Sequence, residues 1–283
     1  MKKTAMITAL CAATALASPV FAETVLRLDE VAVGELDPAK ASDYADSILM
    51  FNVYDTLVLP TQGGPGHVGH LAENWEVDGA NYTFKLRGGT MFQSGNPVTA
   101  ADVVYSLSRT QALGAGLSYL FGGVSAEAVD DMTVKFTLEK PYAPFVASLV
   151  RLPIVDMAAV KANSDSEWGE EYLSGTSAGS GAYTVKSHNP QEETVMSKWG
   201  DYFLTVADAA PDTVRLRYGL EAATVRTLIA QGEHDIASQW LPPEVIKALV
   251  GDGAQLLAET GSGGFYLKMN TTKAPLDDVN CRM

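Results

Sequence analysis

Between residues 81 and 107 the hydrophobic positions change period. Tyr82, Phe84 and Leu86 alternate with Thr83, Lys85 and Arg87, the period of two that marks a half-buried strand. Gly88-Gly89 then break the run, and Gly95-Asn96-Pro97 is a second turn signal. Thr99 follows as a helix cap, with Asp102 three residues on in the acidic place of a capping box. Val103, Val104 and Leu107 supply the apolar face of the helix so started. The local pattern predicts strand, turn and helix, a unit compatible with any α+β protein.

The same reading extends along the chain. Strands are predicted at 24–28, 134–138, 183–185, 194–196, 214–218, 234–237, 255–258 and 265–269. A helix is expected over 44–54, with its apolar stripe through Ile48, Phe51 and Val53. Pro141 and Pro144 introduce a short apolar helix near 145–149, and the polar stretch 158–171 is helical in part. A helix over 222–231 is closed by Gly232, and Pro242-Pro243 open another that runs to Val250. Loops at 61–66 and 174–181 read as boundaries. Helices alternating with strands favour an α/β arrangement.

The first residues change the picture of where the protein works. Lys2-Lys3 precede a short apolar run, Met6 to Ala17, and Val20-Phe21-Ala22 reads as a small-residue cleavage site. This is the pattern of a secretory leader over 1–22, cleaved after Ala22. Its apolar run is short of the roughly 20 residues that span a bilayer. Cys11 lies within the leader, so Cys281 alone remains and no intramolecular disulfide can form. The formal net charge is −14, and the two leader lysines make the remainder more acidic still. Such a surface repels nucleic acid and anionic lipid.

Several short segments, in order and spacing, point further. They are Leu36-Asp37-Pro38-Ala39, Tyr54-Asp55-Thr56-Leu57-Val58, Leu71-Ala72-Glu73-Asn74-Trp75-Glu76 and Gly179-Ser180-Gly181-Ala182-Tyr183. Gln231-Gly232-Glu233-His234-Asp235-Ile236-Ala237 and Met269-Asn270-Thr271-Thr272-Lys273-Ala274-Pro275-Leu276 complete the set. Together they make the chain resemble the bacterial extracellular solute-binding proteins of family 5, which serve ABC importers for peptides, opines, nickel and some sugars. The resemblance implies an α/β, periplasmic binding protein type II-like fold, two-lobed and hinged. Here it would be mainly the first lobe, 23–262, with its core at 23–59 and 179–262 and an inserted subdomain at 60–178. Residues 263–283 would begin a truncated second lobe, which makes the chain a partial version.

The implied role is the substrate-binding component of an ABC importer. It would be a periplasmic monomer that captures a peptide-like or other small solute and delivers it to an inner-membrane permease, without nucleic acid, cofactor, metal or catalysis. By the same resemblance Ser42, Asp43 and Tyr44 match a segment that meets the ligand. Ser238, Gln239 and Trp240 match another, and Phe265 and Tyr266 sit on the strand that crosses to the second lobe. Aromatic rings offer contact area at little entropic cost, and polar groups fix orientation. Two alternatives stay open: Trp240 as a packed core residue, and Asp43 as a helix-start carboxylate.

Two motifs offer other chemistry. Gly175-Thr176-Ser177-Ala178-Gly179 fits the pattern of a serine-hydrolase nucleophile, which makes a secreted hydrolase using Ser177 one alternative reading, a fragment without function being the other. That motif needs a strand before the serine and a helix after it, and the sequence offers a polar loop and then a strand. His67 and His70 are three apart, but their segment is glycine-rich and has no third ligand nearby, so a solvated loop is expected. His188 and His234 read as structural.

Overall fold

A computed structural model describes residues 23–32, 34–258 and 267–282, so the leader expected over 1–22 lies outside the described residues. The chain divides into two compact units at Pro242/Pro243. In the first, the elements in order are β1 (Val25–Glu30), α1 (Tyr44–Val53), β2 (Val58–Pro60), β3 (His67–Gly69), β4 (Ala72–Asp78) and β5 (Asn81–Leu86). Next come α2 (Ala100–Leu113), β6 (Val124–Asp130), β7 (Thr133–Leu138), α3 (Phe145–Ser148), α4 (Met157–Asn163) and α5 (Glu170–Gly175). Strands β8 (Tyr183–Asn189), β9 (Glu193–Lys198) and β10 (Thr213–Tyr218) and helix α6 (Ala222–Ala230) complete that unit. The second carries α7 (Pro243–Gly251) and α8 (Val279–Arg282).

Two four-stranded sheets organise the first unit. One has the order β1-β10-β9-β8, with β1 parallel to β10 and the other pairs antiparallel. The other, β4-β5-β7-β6, is wholly antiparallel and formed from one continuous stretch of chain. The short hairpin β2-β3 stands beside them, with the 61–66 turn at its tip.

The expected alternation holds in β5. Tyr82, Phe84 and Leu86 are buried, while their neighbours are half-buried or exposed. Phe84 sits edge-on to Phe136 of β7 at 5.6 Å and stacks with Trp75 of β4 at 5.9 Å. Phe136 and Tyr82 both meet Phe145, so one aromatic ladder crosses from the sheet to α3. Helix α2 covers this core with Ala100, Val103 and Leu107. Its start is as the sequence suggests: Asp102 Oδ2 accepts from the Thr99 amide at 2.9 Å. Gly114, at φ +60, ends it in the left-handed conformation that glycine tolerates best.

Four expectations are corrected. Residues 255–258 form no strand, because the described residues offer that segment no pairing partner, and a lone extended run leaves its amides unsatisfied. In the run expected over 265–269, residues 267–269 carry no regular structure, and 265–266 lie outside the described residues. Residues 234–237 contribute a single parallel bridge, Leu28 to Ile236, rather than a strand. His67 and His70 do not lie in a solvated loop: His67 pairs with Pro60 in the hairpin, and His70 is buried.

Candidate functional site

The site begins at a helix end. Asp46, buried in the first turn of α1, accepts from the amides of Gly34, Ser42 and Asp43, so its carboxylate folds the preceding loop over the helix start. Deeper in that loop Asp37 is fully buried against α2. Its two oxygens take Arg109 Nη1 and Nη2, each at 2.6 Å, while Arg109 Nε donates to the Trp168 carbonyl at 2.6 Å. This bidentate pair clamps the Leu-Asp-Pro loop to the helix that covers the antiparallel sheet. The exposed segment at 42–44 is thereby held between two fixed points.

The sequence places the apolar stripe of α1 on Ile48, Phe51 and Val53. The structure puts Ala45, Leu49, Met50 and Val53 inward and leaves Ile48 half-buried and Phe51 exposed. Residues 48–51 are all apolar, so periodicity could not choose the inner face. The outer face lines a pocket of about 520 Å³ formed by Ser42, Asp43, Tyr44, Ser47, Ile48 and Phe51 with Leu117, Tyr119, Leu120 and Arg151. Its volume lies in the range of ordinary small-ligand pockets. Tyr44 and Tyr119 are 61% and 74% exposed, a large aromatic surface to leave in water.

The second predicted segment reaches the same place. His234 Nε2 meets Asp29 Oδ1 of β1 at 2.8 Å, and the Ser238 amide donates to the same oxygen at 3.2 Å. Ser238 is buried, and its hydroxyl accepts from the Trp240 amide at 3.2 Å. Trp240 then stands edge-on to Tyr44, ring centres 6.5 Å apart. It is 56% exposed, so the alternative of a packed core residue does not hold. Gln239 is exposed beside it. Phe265 and Tyr266 lie outside the described residues. Tyr119 and Arg151 were not singled out by sequence; an aromatic and a cation isolated in apolar surroundings, as in Leu149-Val150-Arg151-Leu152, were the available signals.

Other segments that carry the resemblance are joints. Asp55 Oδ1 meets His70 Nε2 at 2.7 Å and accepts from Tyr202 Oη at 3.0 Å, and Asp55 Oδ2 accepts from Ser180 Oγ at 2.8 Å. Burial first, then the Asp55 charge, hold the Tyr202 hydroxyl far above its ordinary pKa, so it stays a donor. Serine, aspartate and histidine are together here, but Ser180 bonds the carboxylate and not the imidazole, so no base activates it. At Ser177 the order is helix α5 and then strand β8, the reverse of what a nucleophile elbow needs. Among the described residues no three His, Cys, Asp or Glu side chains gather as a metal site, and no helix is long and apolar enough to cross a membrane.

Comparison with known proteins decides the family. Residues 67–283 match the model of the bacterial extracellular solute-binding proteins, family 5 Middle. The chain belongs to that family. It is 31% identical over 259 residues to the probable D,D-dipeptide-binding periplasmic protein DdpA of Escherichia coli K12, covering 87% of this chain and 49% of that protein. The periplasmic binding protein DppA of Helicobacter pylori, solved with the peptide STSA, superposes with a TM-score of 0.71 at 26% identity, covering 81% of this chain and 49% of that one. MoaA of Agrobacterium tumefaciens R10, solved with mannopinic acid, gives 0.77 at 23% identity over 92% of this chain and 54% of that one, a likeness of fold alone. The fold class expected from sequence, α/β and periplasmic binding protein type II-like, is the fold of these relatives. The chain spans about half the length of the relatives it matches.

Proposed function

We propose that this chain is the first-lobe portion of the substrate-binding component of an ABC importer. It would capture a peptide-like or other small solute in the periplasm for delivery to an inner-membrane permease, and would not be an enzyme. The β1-β10-β9-β8 sheet corresponds to the lobe core and the β4-β5-β7-β6 sheet with α2 to the inserted subdomain. The observation that carries the reading is an open aromatic pocket whose Tyr44 is met from outside the pocket lining by Trp240. Two segments some 200 residues apart in sequence converge there, each fixed by a buried carboxylate, Asp46 or Asp29. Fixed backbone beneath exposed rings suits recognition without chemistry.

DdpA is named for D,D-dipeptides and the DppA structure holds a tetrapeptide, which supports peptide-like solutes first. Ligand-detected NMR registers even millimolar binding. Saturation transfer from the purified chain to a dipeptide pool of alanylphenylalanine, glycyltyrosine and leucylglycine should be clear. It should fall severalfold in Tyr44→Ala and in Trp240→Ala, since a buried aromatic contact contributes on the order of 1 kcal/mol or more. Transfer unchanged in both variants would remove this pocket from the reading.

A further inference from the structure

His234 carries the one buried side-chain polar atom that has no protein partner among the described residues, its Nδ1. The side chain is fully buried, with Nε2 2.8 Å from Asp29 Oδ1. A carboxylate oxygen only accepts, so Nε2 holds the hydrogen. Burying the other nitrogen is a cost that no bond returns. An apolar side chain would fill the same space without that cost. What the imidazole adds is the donor to Asp29. The same Asp29 oxygen accepts from the Ser238 amide at 3.2 Å, so two donors hold the carboxylate in one orientation. From there the contacts run outward. Ser238 Oγ accepts from the Trp240 amide at 3.2 Å, and the Trp240 ring stands edge-on to Tyr44. Trp240 does not line the pocket, but Tyr44 does. A ring as exposed as Tyr44 has several rotamers open to it, and the neighbouring Trp240 ring restricts them.

We propose that His234 is a positioning residue for the solute pocket. By donating to Asp29 it sets the 238–240 segment, and through Trp240 it presets the Tyr44 ring at the pocket wall. This deepens the solute-binding reading and rests on it. A ring placed in advance loses less freedom when a solute arrives, so more of the contact energy remains for binding. The effect passes through Asp29, Ser238 and Trp240 and needs no contact between His234 and the solute. The donor at Nε2 is the part of the side chain that matters, and the orphaned Nδ1 is the cost of placing it there.

The test compares glutamine with asparagine at 234. The amide nitrogen of glutamine can stand where Nε2 stands and donate to Asp29, whereas that of asparagine stops short. The full purified chain, labelled with 5-fluorotryptophan, should give one fluorine signal for each of its four tryptophans, and Trp240→Ala assigns the one at 240. His234→Asn should move the Trp240 signal and leave those of Trp75, Trp168 and Trp199 in place, and His234→Gln should keep all four. Ser238→Ala, which cuts the same path at the Trp240 amide, should give the same single change with His234 untouched. Saturation transfer to the dipeptide pool named above should fall severalfold in His234→Asn, hold in His234→Gln, and fall no further when His234→Asn is added to Trp240→Ala. A Trp240 signal unmoved in His234→Asn or in Ser238→Ala overturns the role. So do shifts of all four signals, which would make His234 a support of the whole fold, and a binding loss that adds in full to that of Trp240→Ala. In each of these cases the solute-binding reading stands. No transfer from the wild type overturns both.

Discussion

Arg109 and Arg151 sit in neighbouring parts of the molecule and do opposite things. Arg109 is 1% exposed, and Asp37 answers it oxygen for nitrogen. Arg151 is exposed, leans on a phenylalanine ring, and has one hydroxyl for company. Taking a charge out of water is expensive unless it is paired, so Arg109 is tolerable only because Asp37 is there. Arg151 keeps its water and needs no partner to fold. The first arrangement joins the segments of the lobe. The second leaves its remaining donors to water. The difference lies in the environment of two identical side chains, so it can be broken at either end.

The largest effect should come from the joint. Arg109→Met strands the Asp37 carboxylate in the core and should cost about 3–5 kcal/mol, read from the urea midpoint. Adding Asp37→Leu should recover much of it, because the uncompensated charge is gone. Recovery should be incomplete, since the Ala39 amide and the Trp168 carbonyl still lose partners. Arg151→Gln, by contrast, should move stability by no more than about 0.5 kcal/mol. A large loss at Arg151 would mean that the pocket arginine is structural and would erase the contrast.

Next in size are the glycines of the Gly-Ser-Gly segment. A Cβ at Gly179 would lie 2.0 Å from the Val53 carbonyl oxygen, and one at Gly181 would lie 2.4 Å from that of Asn52. Both oxygens belong to the end of α1, the helix whose outer face lines the pocket. Gly181→Ala should push that helix end away at a cost of about 1–3 kcal/mol, seen as a lower melting temperature. It also sharpens the comparison. If the pocket is a passive surface on a fixed scaffold, moving the scaffold should weaken dipeptide binding as well as stability.

How much of this was open to a reader of the sequence depends on range. The strand β5 and the cap of α2 are decided by residues a few positions apart, and periodicity found them. The ends of α1 were legible for the same reason, but its inner face was not. With Ile48, Leu49, Met50 and Phe51 all apolar, only the rest of the fold selects which side is buried. The joints are further out of reach. Asp37 meets Arg109 across 72 residues, and Asp55 meets Ser180 across 125. Nothing local distinguishes those carboxylates from exposed ones. Asp43 and Tyr44 were named through resemblance, whereas Arg151 emerged only when the pocket brought it beside Phe51.

The smallest effect lies between the two extremes, at His188 on β8. It is half-buried, with Nδ1 2.7 Å from Thr194 Oγ1, and the Tyr218 ring stands edge-on to it. Burial lowers its pKa below the ordinary 6.5. As pH falls, the unfolded chain therefore takes up this proton before the folded one does. The stability linked to the neutral imidazole is full above 6.5 and is lost as pH drops through that value toward the lower folded pKa. Urea midpoints at about pH 8 and about pH 5 should show the wild type losing more stability than His188→Gln over that interval. Other groups titrate there too, so the informative quantity is the difference between the two proteins. A parallel loss in both would place His188 with Arg151, among groups whose charge the fold leaves to water. A steeper loss in the wild type places it with Arg109, among groups whose state the fold dictates.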